Sequence, residues 1–198
     1  MGQPRPRLLY LRSGDEELPD EQLVRAASAG DLWALESLFR RYEAPVVRYL
    51  QRLVQEDDAA DDLFQETFLR AYVNLGSFHP ERLFRAWLYR IATNAGLDFV
   101  RRRQRALPPA HTDRPDPGVE AVVFERDLAR QVEEAVAELS DDHRTVFLLR
   151  HSQGLSYAEI AQAVGSPEGT VRSRMHYALR ALREKLRYLV EEGRHDDL

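Results

Sequence analysis

Residues 154–186, GLSYAEIAQAVGSPEGTVRSRMHYALRALREKL, constrain the fold more than any other part of the chain. Ser156 and Glu159 stand at the S-x-x-E spacing of a capping box, in which each residue satisfies an amide at the start of a helix. Ile160 and Val164 supply an apolar face, and Gly165 permits a sharp helix end. Ser166 is expected to cap a second helix with Pro167 at its first position. Val171, Met175, Ala178, Leu179, Leu182 and Leu186 then recur at core spacing. The face left over gathers Glu168, Thr170, Arg172, Ser173, Arg174, His176 and Tyr177 near the N-terminus of that helix. A short helix, a Gly-Ser-Pro turn and a longer helix make the pattern of a helix-turn-helix, whose second helix enters the major groove. There Arg forks onto guanine, while Thr, Ser and backbone amides hold phosphate. The competing reading is a helical hairpin with a solvated Arg-rich face. Polar residues collected at one helix end favour DNA.

The rest of the chain reads as helix throughout. Residues 1–25, with Pro4, Pro6, Gly14 and Pro19 among a cluster of acids, are expected to form a tail. From Asp31, the residues Leu32, Leu35, Leu38, Phe39, Tyr42, Val46, Tyr49, Leu50 and Leu53 keep helical spacing, with Pro45 expected to kink or divide the run. Asp58 is placed to cap a helix whose Leu63, Phe64, Phe68, Ala71 and Tyr72 share a face, with Gly76 at its end. Pro80 suits the first turn of a third helix through Leu83, Phe84, Trp87, Leu88, Ile91 and Ala95. Pro108, Pro109, Pro115, Pro117 and Gly118 mark a linker over 105–119. Beyond it, Phe124, Leu128, Val132, Ala135, Val136 and Leu139 form another stripe, and Ser140 or Asp141 caps a helix carrying Val146, Phe147 and Leu149. The expected architecture is all-α: a helical domain over 26–104, the linker, a helix-turn-helix domain over 120–192 and a short tail over 193–198.

Charge is unevenly distributed. Between Gln55 and Leu69 stand Glu56, Asp57, Asp58, Asp61, Asp62 and Glu66 with no Lys or Arg, an acidic face that is either solvated or meets a basic partner. Between Arg85 and Arg105, six arginines face the single acid Asp98. The net charge of -5 argues against a protein that merely coats nucleic acid. The absence of cysteine excludes disulfides, thiolate metal sites and a cysteine nucleophile. No metalloprotease, nucleotide-binding, hydrolase or EF-hand motif is present, the six histidines are scattered, and no cofactor or metal is implied. No run approaches a membrane span, so the expected location is the cytoplasm.

Together LFRRY (38–42), DDLFQETFLRAY (61–72), FRAWLYRIATNAGLDFVRRR (84–103) and LSYAEIAQAVGSPEGTVRSRM (155–175) resemble the bacterial sigma factors of the extracytoplasmic-function class, which keep only the second and fourth sigma regions. The resemblance implies a non-enzymatic initiation factor that binds core RNA polymerase, through its clamp coiled coil and its flap, directs it to promoters and helps melt them. On that basis Asp61, Asp62, Gln65, Glu66, Phe68 and Arg70 match the clamp-gripping segment. Phe78, His79, Trp87, Tyr89, Asn94, Asp98, Arg101 and Arg102 match the part that reads and melts the minus-ten element, where aromatic platforms capture unstacked bases. Trp87 also lies in the apolar stripe, so core packing competes with base contact there. Asp98 either accepts from a base or orders Arg101 or Arg102. Ser166, Glu168, Thr170, Arg172, Ser173, Arg174, His176 and Tyr177 match the minus-thirty-five reader, although the family commonly has arginine where Tyr177 stands. The resemblance also implies promoter DNA, duplex and melted, and an anti-sigma factor as partners. The rival class is an autonomous helix-turn-helix regulator, which usually adds a dimerisation or sensing domain.

Overall fold

A computed structural model describes residues 18–78, 83–106 and 123–187, and among them every regular element is helical. The first unit comprises α1 (Asp20–Ser28), α2 (Leu32–Val54), α3 (Asp57–Asn74), a 3₁₀ turn (Leu75–Ser77) and α4 (Phe84–Ala106). The second comprises α5 (Val123–Ala137), α6 (Asp141–His151), α7 (Tyr157–Val164) and α8 (Glu168–Lys185).

The long helix α2 organises the first unit. Asp31 caps it by accepting from the amides of Trp33 and Ala34, and its buried side runs from Ala34 through Leu38, Val46, Tyr49 and Leu50 to Leu53. Pro45 lies inside this one helix, so of the two expectations, a kink or a division, the division is excluded. A proline removes one amide donor, and the packing on both sides of residue 45 holds the helix together across that gap. Tyr49 meets Thr93 of α4 through a 2.8 Å hydrogen bond between fully buried hydroxyls. Burial pushes the Tyr49 phenol well above its ordinary range. Gly96 of α4 permits the close approach: a Cβ there would lie 2.8 Å from Leu53 Cδ2 and 3.3 Å from Leu50 Cδ2.

Several expectations need correction. Residues 20–25, assigned to the tail, are the first part of α1, and Leu23 and Val24 among them are buried in the core with Ala27 beyond. Asp20 fastens α1 by accepting from Arg41 at 2.6 Å and from the Tyr42 hydroxyl. Burial, then the bond to Asp20 and its negative charge, push the Tyr42 phenol upward. The cap position of α3 is Glu56, not Asp58, which lies in the first turn with Asp57; there its charge favours the positive helix end without a side-chain cap. The helix stops at Asn74, and Gly76 belongs to the turn that follows. Pro80 lies outside the described residues, and α4 begins at Phe84, so Leu83 precedes it and is half-exposed. Tyr72, assigned to the core stripe of α3, is also half-exposed. The proline-rich segment from 107 to 122 lies outside the described residues.

The two units pack together. α4 lies against α7 and α2 against α6, and the buried apolar residues of both units form one continuous cluster. Arg144 of α6, nearly buried, donates to the Leu53 carbonyl at the C-terminus of α2 (2.9 Å) and to the Leu139 carbonyl (2.8 Å). A cation on terminal carbonyls opposes the negative end of the helix dipole, so one unit caps a helix of the other.

Candidate nucleic-acid interface

The helix-turn-helix forms as its residues dictate. The Ser156 hydroxyl accepts from the Glu159 amide (3.2 Å), and the Glu159 carboxylate accepts from the Ser156 amide (2.7 Å). Burial of Glu159 opposes its charge, but the bonds from Ser156, with Arg85 and Arg150 nearby, outweigh it and hold the carboxyl below its ordinary range. A carboxyl depressed in the folded state adds stability that is present above its unfolded pKa and is lost as pH falls through the folded value. Glu159→Gln is therefore expected to be less stable than wild type at pH 7 and to match it well below about pH 4, as urea titrations at both pH values would record. Gly165, at φ +63°, turns the chain with no neighbour crowding it, so the backbone angle alone demands glycine. Gly165→Ala is expected to cost about 1–2 kcal/mol in the same titration.

The α8 boundary differs from expectation by one residue. Pro167 occupies the cap position with an extended backbone and Glu168 is the first helical residue, so Ser166 precedes the cap and provides no side-chain cap bond. Instead its hydroxyl accepts weakly from Arg174 at 3.5 Å. Val171, Met175, Ala178 and Leu182 are buried. The opposite side presents Arg172, Ser173, His176 and Tyr177 to solvent, with Glu168 and Thr170 half-buried beside them. Arg172 pairs with Glu168 (2.5 Å) and lies over the Tyr157 ring at 4.8 Å, with Arg150 over the same ring at 5.3 Å. Ser173 donates to the Thr170 carbonyl, and the His143 and Tyr177 rings stack at 6.0 Å. Arg174 is turned back onto α6 by a 2.6 Å ion pair with Asp142.

On α4, Asn94, Asp98, Arg101 and Arg102 are exposed, and Asn94, Asp98 and Arg101 follow one another at helical spacing on one face. Asp98 pairs with Arg101 at 3.4 Å. Trp87 is half-buried on an aromatic shelf, with ring centroids 5.1 Å from Phe78 and 5.7 Å from Phe84. Tyr89 points the other way: it is 1% exposed and donates to the Gln153 side chain of the second unit at 2.5 Å. Sequence spacing put Trp87 on the apolar stripe and Tyr89 off it; Trp87 does pack against the core, while the second unit covers Tyr89. His79 lies outside the described residues.

On α3, Asp61, Asp62 and Gln65 are exposed and Glu66 is partly so, paired with Arg70 at 2.5 Å. Phe68 faces inward, edge-on to Phe39 at 4.8 Å. Leu69, Tyr72 and Val73 extend the outer surface as exposed apolar residues. Among the described residues no cluster of His, Asp and Glu suits a metal, and no helix is long and apolar enough to cross a membrane.

The family models described as Sigma-70 region 2 and Sigma-70, region 4 match residues 38–106 and 129–182. The chain belongs to the sigma-70 family. This sigma factor is 31% identical to the ECF RNA polymerase sigma factor SigW of Bacillus subtilis, over 87% of this chain and all of the relative. It is 33% identical to the ECF RNA polymerase sigma-E factor of Escherichia coli K12, over 88% of this chain and 98% of the relative. A solved structure of CnrH in complex with the cytosolic domain of CnrY superposes with a TM-score of 0.68 at 28% identity, covering 85% of this chain and 97% of that one. This sigma factor is thus a transcription initiation factor of the extracytoplasmic-function class.

Sequence reasoning missed three features of this sigma factor. Tyr157, the ring that Arg172 and Arg150 share, stands inside the capping box and drew no notice beside Ser156 and Glu159. Asp142, which holds Arg174, lies on another helix. Gln153 sits in the α6–α7 turn, where its neighbour Gly154 (φ +65°) was the sole sequence signal.

Proposed function

We propose that three exposed faces of this sigma factor divide the work of initiation. Asp61, Asp62, Gln65 and Glu66 on α3 grip the coiled coil of the polymerase clamp, while Phe68 holds that helix to the core and Arg70 positions Glu66. Trp87, Asn94, Asp98, Arg101 and Arg102, with Phe78 beneath Trp87, take the melted minus-ten strand. The half-buried tryptophan offers a stacking platform, and the arginines track phosphate. Arg172, Ser173, Thr170, His176 and Tyr177 on α8 read the minus-thirty-five duplex while the second unit rests near the polymerase flap. Arg174 and Ser166 shape the turn beneath them.

The observation that carries this reading is the separation of chemistry. Acidic, basic-aromatic and polar-cationic faces stand exposed on three different helices. A chain of net charge -5 with a single recognition helix should bind duplex weakly by itself and act through polymerase, by binding and not by catalysis. The same reading places it in the cytoplasm, with polymerase. CnrH, similar to this chain, is solved with the cytosolic domain of another protein, and an anti-sigma factor is the corresponding partner we propose here.

The test is promoter-specific, salt-sensitive transcription from core polymerase supplied with the purified chain. Arg172→Ala should lower transcription from promoters that need the minus-thirty-five element by about tenfold or more, the value of one bidentate base contact. Tyr157→Leu removes the ring that orients Arg172 and should reproduce part of that loss, with Tyr157→Phe restoring it. Specific duplex binding by the chain alone, unaffected by polymerase, would favour the autonomous regulator.

A further inference from the structure

We infer that residues 5–12 of this chain, RPRLLYLR, dock along the outer face of α3, with Leu8, Leu9, Tyr10 and Leu11 in an apolar groove at its C-terminal end, and that polymerase must displace them. The docking is read from the groove and the charges around it. Its effect on polymerase rests on the assignment of α3 proposed above.

Four of the seven large hydrophobic residues exposed among the described residues gather at this place. Leu32, Tyr72 and Val73 line a groove of about 370 Å³ together with Leu35 and Leu75, and Leu69 stands one turn back from Val73. Val73 is 78% exposed and Leu32 67%. Single exposed apolar residues are ordinary, but a set gathered around a concavity marks a docking surface. Towards the N-terminus of α3 the same face continues from Leu69 through Gln65 and Asp62 to Asp58, all exposed, at three- and four-residue intervals. The occupant that fits is apolar at one end and basic beside it.

The start of the chain has that chemistry. Residues 1–12 hold Arg5, Arg7 and Arg12 and no acid, and these arginines flank the Leu8-Leu9-Tyr10-Leu11 run. Pro4 and Pro6 favour an extended backbone, which suits a strap laid along a helix. The tether also reaches. The Leu18 carbonyl accepts from Arg41 at 2.8 Å, which fixes where the strap must start, and α1 leads from there to the groove, whose rim includes Ala27 and Ser28. The nine residues of α1 cover about 14 Å at about 1.5 Å each. Residues 12–19, fully extended, span up to roughly 26 Å. With Leu8 in the groove, residues 5–7 reach about 10 Å further, which is about the rise along α3 from Leu69 to Asp62. A short tether supplies an effective concentration on the order of millimolar, so even a weak contact is populated.

The chain has no native cysteine, so pairs can be introduced cleanly. Leu9→Cys with Val73→Cys, in the full chain oxidised by diamide, should form an intramolecular disulfide about tenfold faster than Leu9→Cys with Glu43→Cys. Glu43 is exposed and only two residues from Arg41, so an undirected strap would find it at least as readily. Arg5→Glu with Arg7→Glu should slow the Val73 cross-link towards the control rate, and in the cysteine-free chain should tighten binding to core polymerase about three- to tenfold, since apparent affinity scales with the competent fraction. Equal rates for the two pairs, with circular dichroism showing both folded, would overturn the docking. So would a Val73 cross-link that forms between chains and scales with protein concentration, because a second copy would then fill the groove. Cross-linking needs no polymerase: a fast intramolecular cross-link with polymerase affinity unmoved by Arg5→Glu and Arg7→Glu would uphold the docking and count against α3 as the polymerase face.

Discussion

Asp62→Arg combined with Glu66→Arg is expected to lower the affinity of the chain for core polymerase by about a hundredfold or more. Both side chains lie on the outer surface of α3, with Asp61 and Gln65 beside them and no buried neighbour to satisfy. Their value is to a partner, and placing two like charges against a basic surface costs several kcal/mol. Stability should change little, within about 0.5 kcal/mol per exposed site, except that Arg70 loses its ion pair with Glu66. Competition against labelled sigma for core polymerase, repeated across salt concentrations, measures the effect. The residual salt dependence should flatten, because the long-range attraction is gone. Undiminished affinity would remove α3 from the polymerase interface.

The largest expected effect on stability lies at Gly96. Leu50 and Leu53 are fully buried, so neither side chain can swing into solvent to admit a new Cβ only 2.8 Å from Leu53 Cδ2. Gly96→Val should therefore cost about 3 kcal/mol, at the upper end of overpacking penalties. Gly96→Ala should fall nearer neutrality, because the gain in helix propensity of about 1 kcal/mol offsets part of the crowding. Gly169 gives the contrast: it is helical, exposed and has nothing within 4 Å of its ideal Cβ, so Gly169→Ala should be stabilising in the same urea titration. If Gly96→Val proved neutral, the packing of α4 on α2 would differ from that described here.

Much of the fold was legible because helix periodicity and caps are local. The Ser156–Glu159 box and Gly165 specify α7 from eleven consecutive residues, 155–165, and the stripe of Val171, Met175, Ala178 and Leu182 specifies the buried side of α8. Errors came where distant chain decided. Pro45 reads as a kink or a division because its effect on an isolated helix is large, yet α2 is held undivided by packing along its length. Residues 20–25 read as part of the tail because prolines and acids surround them, and the short Leu23, Val24, Ala27 stripe of α1 gains meaning only against α2.

The site divides in the same way. That Arg172 is exposed, and that Asp61 and Asp62 are too, follows from which face of the helix is apolar. That Arg174 is tied to Asp142, or that Tyr89 is covered by Gln153, depends on contacts across 32 and 64 residues. No helical wheel contains them. Phe68 is the intermediate case: the family resemblance put it on the polymerase face, while its own i, i+4 relation to Phe64 put it in the core, and its burial agrees with the second.

The division of labour among three faces is tested most directly by footprinting the reconstituted polymerase on one promoter, with nuclease for duplex contact and permanganate for unpaired thymines. Arg172→Ala should lose upstream protection while the minus-ten thymines remain reactive in the complexes that form. Arg101→Ala with Arg102→Ala should keep upstream protection and lose reactivity. Loss of both signals together by either variant, with polymerase still bound, would contradict the account.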